Sequence, residues 1–322
     1  MTDQTAFIEV NHLDFSHTVS KQRFYFLNGV KKTYPVLRDV NFQLPQGGHM
    51  TLFGKEAAGK TTLLNLLSGE LSPSNGHVLI NGKKPKLIKH AYAGYVSDSR
   101  NGNEKNTGYD ILHGHAKTQR ISDPAARVDS IADLLELSQF LHRSSGKLSA
   151  TQQIRLNLAQ AAICDTPLVL LDDVTDRFSA KYINKLLHSL FSGRTVIVAT
   201  RSARAADSLG LSVLLLHEGT LIHQGTIDKI ALDASCPRIV DVWIEGLRYD
   251  ILRKLRKHNG VMEARLVPSD QFAGQRLRIT LRSARYLPTM YDLISQATLV
   301  QVSEIPPSLN EVVNRLDSVT VK

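Results

Sequence analysis

Two short segments of this chain carry residue types and spacings suited to handling a phosphoanhydride. The first runs Gly54, Lys55, Glu56, Ala57, Ala58, Gly59, Lys60, Thr61, Thr62 and fits G-x-x-x-x-G-K-[ST]. In that spacing backbone N–H groups close around phosphate oxygens, the lysine ammonium of Lys60 reaches the terminal phosphates, and the hydroxyl of Thr61 coordinates magnesium. The second is PLVLLDD at 167–173, an apolar run that delivers Asp172 at its end. A carboxylate there can hold magnesium through water, as in nucleotide hydrolases built around such a loop.

These segments need elements to position them. The run at 49–53 reads as a strand ahead of the glycine-bearing loop, and TTLLNLLSG reads as an amphipathic helix ending at Gly69, so the order is strand, loop, helix. The helix start adds its positive dipole end to the same anion. Continuous apolar runs at 167–173 and 194–200 predict parallel strands buried on both faces. Between them and the loop, residues 100–160 show helical periodicity without strand runs, which predicts a helical insert. Upstream, a strand pattern at 7–15 precedes a segment in which Asn28-Gly29 sits between two aromatic or aliphatic runs, a hairpin signal because both residues tolerate positive φ.

Beyond LDASCPR the pattern changes to strand runs near 239–244, 261–267, 276–281 and 299–302, alternating with helical stretches near 249–257 and 287–296. That order predicts a small α+β domain of βαββαβ type. The chain of 322 residues is long enough for one large domain and a smaller one. An apolar fraction of 42% and a charged fraction of 21% exclude a disordered or fibrous protein. Cys164 and Cys236 are the only cysteines and lack metal-ligand spacing, so neither a disulfide framework nor a zinc site is expected. No aliphatic run approaches the roughly 18 residues of a membrane span. The net charge of +9 is compatible with a basic solvated exterior, an anionic membrane surface or nucleic acid.

The stretch GKLSATQQIRLNLAQAAICDTPLVLLDD at 146–173 resembles the signature helix and following strand of ATP-binding cassette (ABC) proteins, usually LSGGQ-x-x-R, a helix, then the magnesium-binding strand. With YPVLRDVNFQL ahead of the loop and LLHEGTLIHQGTIDKI at 215–230, the resemblance covers residues 7–232. It implies an α/β fold with a P-loop nucleotide hydrolase sheet and a helical insert at about 98–160, followed by the small C-terminal α+β domain. The expected division is an ABC ATPase domain at 1–235 and an accessory domain at 236–322. The implied cofactors are ATP and Mg2+, with the cation at Thr61, Asp172 and Asp98. In the family two cassettes face head to tail, and the signature of one closes over the γ-phosphate held by the other. Ser149, Ala150, Thr151 and Gln152 stand at those positions here.

Five departures from the family pattern bear on mechanism. The signature glycines are Ala150 and Thr151, which add side chains where backbone normally approaches phosphate. The glutamate that polarises the attacking water is Asp173, one methylene shorter. The glutamine that links the γ-phosphate to the permease interface aligns with Asp98, and the switch histidine aligns with Arg201. The loop after Asp173, normally S-A/G-L-D, reads Asp176, Arg177, Phe178, Ser179. General-base assistance contributes about 10² to 10⁴ in rate, so a misplaced carboxylate implies slow hydrolysis. The adenine ring usually stacks on an aromatic residue before the loop strand; both His17 and Tyr34 stand in range.

The C-terminal stretch ending PSLNEVVNRL resembles the accessory domain of type-two exporter cassettes. The resemblance implies a dimeric ATPase subunit, peripheral on the cytoplasmic face of a membrane, working with a separately encoded permease and with a second ABC subunit, identical or not. A reading from another class is a nucleotide-sensing module that gates a partner with little turnover. No nucleic-acid partner is expected, because soluble cassettes acting on ribosomes or DNA carry two cassettes or a long coiled coil.

Overall fold

The computed structural model describes residues 6–20, 31–88, 92–97, 105–245, 247–268 and 275–320. They divide into two compact units, Met1–Gln224 and Gly225–Lys322.

The first unit begins with two long antiparallel strands, β1 (Ala6–Ser20) and β2 (Lys31–Pro45), followed by β3 (His49–Phe53), α1 (Lys60–Ser68), β4 (Asn75–Ile80), the short α2 (Pro85–Ile88) and β5 (Ala93–Val96). Three helices come next, α3 (Gly108–Thr118), α4 (Pro124–Leu134) and α5 (Ala150–Ile163). The sheet then resumes with β6 (Leu168–Asp172), α6 (Ala180–Ser189), β7 (Thr195–Thr200), α7 (Ala203–Leu209), β8 (Ser212–His217) and β9 (Thr220–Gly225). The strands form two sheets, β2-β1-β4 and β5-β6-β7-β3-β8-β9. The hairpin turn expected at Asn28-Gly29 lies outside the described residues.

Strands β5, β6, β7, β3 and β8 pair in parallel. Apart from the half-buried Ala93 and Tyr95 on β5, their apolar runs are buried on both faces, every residue of β7 included. One core joins this sheet to the antiparallel sheet and α1, through Leu52, Leu63, Leu67, Ile80 and Leu170. A second joins it to the helical insert and α6, through Leu112, Ile131, Ile154, Val196 and Phe191. Register then decides what meets: Phe53 pairs with Thr200 and Asp172 with Ala199, so three strand ends lie side by side at the carboxyl edge. Strand order reverses there, with β3 between β7 and β8, and open α/β sheets bind ligands at such a point.

The second unit comprises α8 (Ile227–Asp233), β10 (Arg238–Glu245), α9 (Tyr249–Lys257), β11 (Val261–Val267), β12 (Gln275–Leu281), α10 (Leu287–Ile294), β13 (Thr298–Ile305) and α11 (Leu309–Thr320). Its sheet runs β11-β12-β10-β13 with antiparallel pairs. Alternate residues Val240, Val242 and Ile244 pack under α9 and α10 with Leu277, Ile279 and Leu281. On β10, Asp241 is buried and held by Arg278 and Arg276 from β12.

The compact units divide at Gln224 and Gly225, whereas the sequence suggests a division between 235 and 236. Helix α8 accounts for the difference. It buries Ile230 and Ala231, touches α11, and its Asp228 accepts from Arg238 at 2.9 Å.

Candidate nucleotide site

Residues 54–59 form the turn between β3 and α1, and sterics explain its glycines. A Cβ on Gly54 would lie 2.6 Å from the Leu216 carbonyl oxygen. Gly59 has φ +101, and a Cβ there would lie 2.8 Å from Leu37. Ala57 also takes positive φ, at 60°. Gly54 N–H donates to Thr200 O at 3.3 Å, tying the loop to β7. Lys55 and Glu56 are exposed while Ala58 is buried. No side chain caps the start of α1 and its first turn holds no acidic residue, so its N–H groups and dipole remain available to an anion. Lys60 is buried, its ammonium donating to Gly54 O at 3.0 Å and Lys55 O at 3.2 Å. Those acceptors hold the charge inside the turn. Thr61 and Thr62 follow on the first turn of the helix.

Thr61, Asp172, Asp173 and Arg201 line one cavity of about 960 Å³ with Asn65, Tyr95 and Asp176. Three loops from distant parts of the sequence therefore meet there. Asp172 Oδ2 accepts from the Tyr95 hydroxyl at 2.8 Å, and Oδ1 is buried without a hydrogen-bond partner. Asp173 Oδ1 is likewise buried and unpartnered. Two orphaned carboxylate oxygens on residues that line one cavity with Thr61 suit a hydrated divalent cation, whose waters would supply the missing donors. Thr61 and Asp172 would hold Mg2+, whose chemistry is to neutralise phosphate charge. Asp98, also expected there, lies outside the described residues.

Asp173 sits in the left-handed region at φ 50, its N–H donating to Ala199 O at 3.2 Å. Burial pushes its carboxyl above the ordinary range; Lys60 opposes this and the Asp172 and Asp176 charges add to it. Arg201 donates to Asp176 Oδ2 at 2.8 Å, a contact that further favours the charged guanidinium. The Thr175 and Thr200 hydroxyls lie 2.7 Å apart, tying the loop after Asp173 to the end of β7.

Ser149 is the N-cap of α5, in a reciprocal box with Gln152: the Gln152 N–H donates to Ser149 Oγ at 3.3 Å and the Ser149 N–H to Gln152 Oε1 at 2.9 Å. Ala150 and Thr151 fill the first two helical positions. Ser149, Thr151 and Gln152 line a second cavity of about 550 Å³, with Asp133, Glu136 and Arg155. The two cavities share no lining residue. Arg155 fixes α5 to the end of α4 by donating to Leu135 O at 2.9 Å and Glu136 Oε2.

His17 and Tyr34 are cross-strand partners on β1 and β2, both exposed, so the two aromatic candidates occupy one place. His17 also stands edge-on to Phe15, with ring centroids 4.9 Å apart.

Tyr95 was not among the expected site residues. Its phenol pKa is pushed up by burial and then by Asp172. Only the pairing of β5 with β6, a tertiary fact, brings it to the carboxylate.

The family model for ABC transporters matches residues 37–176. Over 230 residues the chain is 28% identical to the ABC transporter ATP-binding protein YtrE of Bacillus subtilis, covering 66% of this chain and 96% of that one. Over 201 residues it is 30% identical to the taurine import ATP-binding protein TauB of Ruegeria pomeroyi, covering 60% and 74%. The ATP-binding cassette MJ0796, in a dimeric post-hydrolysis state bound to ADP and Pi, shares the fold at TM-score 0.58 and 19% identity, covering 68% of this chain and 98% of its own. CbiO1 of Clostridium perfringens, part of the ABC transporter complex CbiONQ, does so at TM-score 0.55 and 21% identity, covering 70% and 95%. The match to the ABC transporter model and the 30% identity to TauB over 74% of that protein's length place this chain in the ABC transporter ATP-binding protein family, whose members hydrolyse ATP.

Proposed function

We propose that this chain binds ATP with Mg2+ between its phosphate loop and the Asp172 strand end, hydrolyses it slowly, and thereby drives export through a separate membrane permease. The observation that carries the nucleotide reading is the single cavity bringing Thr61, Asp172, Asp173 and Arg201 together. Lys60, Thr61 and the loop N–H groups bind the phosphates, and the exposed His17 and Tyr34 pair offers adenine a platform. Asp173 stands where a carboxylate would orient the attacking water.

The signature cap at Ser149 lines a different cavity from this chain's own loop, which supports a head-to-tail pair with the Ser149 face closing over a second subunit's nucleotide. The export direction rests on the second unit's βαββαβ order; relatives named as importers, such as TauB, match over 60% of the chain. The described residues include no helix long and apolar enough to cross a membrane, which fits a subunit peripheral to its permease on the cytoplasmic face.

Co-purification from solubilised membranes tests the partnership, with a multi-span membrane protein expected. ATP-driven uptake of substrate into inside-out vesicles marks export, and uptake only into right-side-out vesicles overturns it.

A further inference from the structure

We infer that Tyr95 is a positioning residue for magnesium: its hydroxyl pins one oxygen of Asp172 so that the other is presented to the cation. The inference rests on the nucleotide-site reading above. An ionised carboxylate only accepts, so the 2.8 Å contact is a phenol O–H donated to Asp172 Oδ2. The other oxygen, Oδ1, is buried with no donor at all. Buried acceptors are nearly always satisfied, and this one lies on a residue that lines the cavity shared with Thr61. The two oxygens thus have separate tasks, one anchored in the protein and one left for a ligand.

Both groups sit on paired parallel strands, with Tyr95 opposite Leu170, so the donor and the carboxylate are held by one rigid ladder. Without the phenol, Asp172 would turn about its side-chain bonds toward other donors at the site, and a freely placed water would substitute poorly. Partners that orient a metal ligand typically change metal affinity by about 10 to 100-fold when removed. In the sequence, the strand A-G-Y-V presents Tyr95 as an ordinary β-former.

The test is Tyr95→Phe, which removes one oxygen and keeps the ring. Binding of a fluorescent ATP analogue is titrated with MgCl2 and repeated in EDTA. The expected result is a rise of about tenfold in the Mg2+ concentration giving half of the cation-dependent enhancement, with affinity in EDTA unchanged. In an Asp172→Asn background the same exchange is expected to leave the Mg2+ dependence alone. An unshifted Mg2+ midpoint, or an equal loss of affinity in EDTA, overturns the role of Tyr95 and leaves the nucleotide site standing. A further shift in the Asp172→Asn background also overturns it, since the phenol would then act elsewhere. Failure of the parent chain to bind the analogue, or binding indifferent to Mg2+, overturns the nucleotide-site reading and this inference together.

Discussion

Arg201 Nη2 donates to Asp176 Oδ2 at 2.8 Å, so two positions that the sequence reads as departures from the cassette pattern meet each other in the structure. The Arg201 side chain is 52% exposed and that of Asp176 35%, which makes the pair a weak contributor to stability. Its significance is electrostatic, because both line the phosphate cavity.

Asp176→Asn removes a negative charge from that cavity and frees Arg201 for the nucleotide. ATP binding is expected to tighten about fivefold, roughly 1 kcal/mol, with the melting temperature changed little. Isothermal titration with ATP checks it, and weaker binding would show that Asp176 aims Arg201 instead of competing for it.

Lys60→Ala is expected to abolish most ATP binding. The ammonium is the main side-chain charge on the terminal phosphates, and its bonds to Gly54 O and Lys55 O also hold the loop in shape. Affinity equal to the parent would contradict the phosphate-loop assignment.

Phosphate release by the purified chain is expected to fall well below the enzyme median of about 10 s⁻¹. Asp173→Glu alone is expected to recover little, because Arg201 and Asp98 remain and residues acting as a unit give non-additive losses. The comparison is with Asp173→Glu, Arg201→His and Asp98→Gln combined. Full recovery by the single change would refute a shared defect.

Asp173 links stability to pH. Its carboxyl titrates above the ordinary 3.8 in the folded chain, mainly through burial, so the folded state holds that proton more readily than the unfolded one. Its contribution to stability therefore falls as pH rises from 3.8 through the raised value, and stays lost above it. Asp173→Asn is expected to raise the melting temperature of the nucleotide-free chain at pH 7. The gain should shrink toward zero as pH falls to the ordinary carboxylate range, which a melting series across pH would reveal.

A chain ending at Gln224 is expected to fold and bind ATP, whereas one ending at residue 235 keeps α8 without the β10 and α11 residues it contacts. The longer chain should be the less soluble of the two, exposing Ile230 and Ala231. An insoluble or nucleotide-blind 1–224 chain would show that the first unit depends on the second.

The sequence by itself determined what local chemistry encodes. The glycine and lysine spacing of residues 54–62 marks the phosphate loop, because no other residue types tolerate that turn and that approach to an anion. Continuous apolar runs mark β6 and β7, whose burial on both faces leaves no polar alternation. Ser149 and Gln152, three apart, specify the cap of α5. Tertiary structure alone decided which of these meet. Strand order and register put Tyr95 on Asp172 and Arg201 on Asp176, and they set His17 opposite Tyr34, making one place of two candidates. The same holds for α8, whose own pattern is equally good on either side of the division and whose partners come later in the chain. The pairs His17–Tyr34, Arg201–Asp176 and Tyr95–Asp172 lie 17, 25 and 77 positions apart and meet through pairing and packing that no local pattern records.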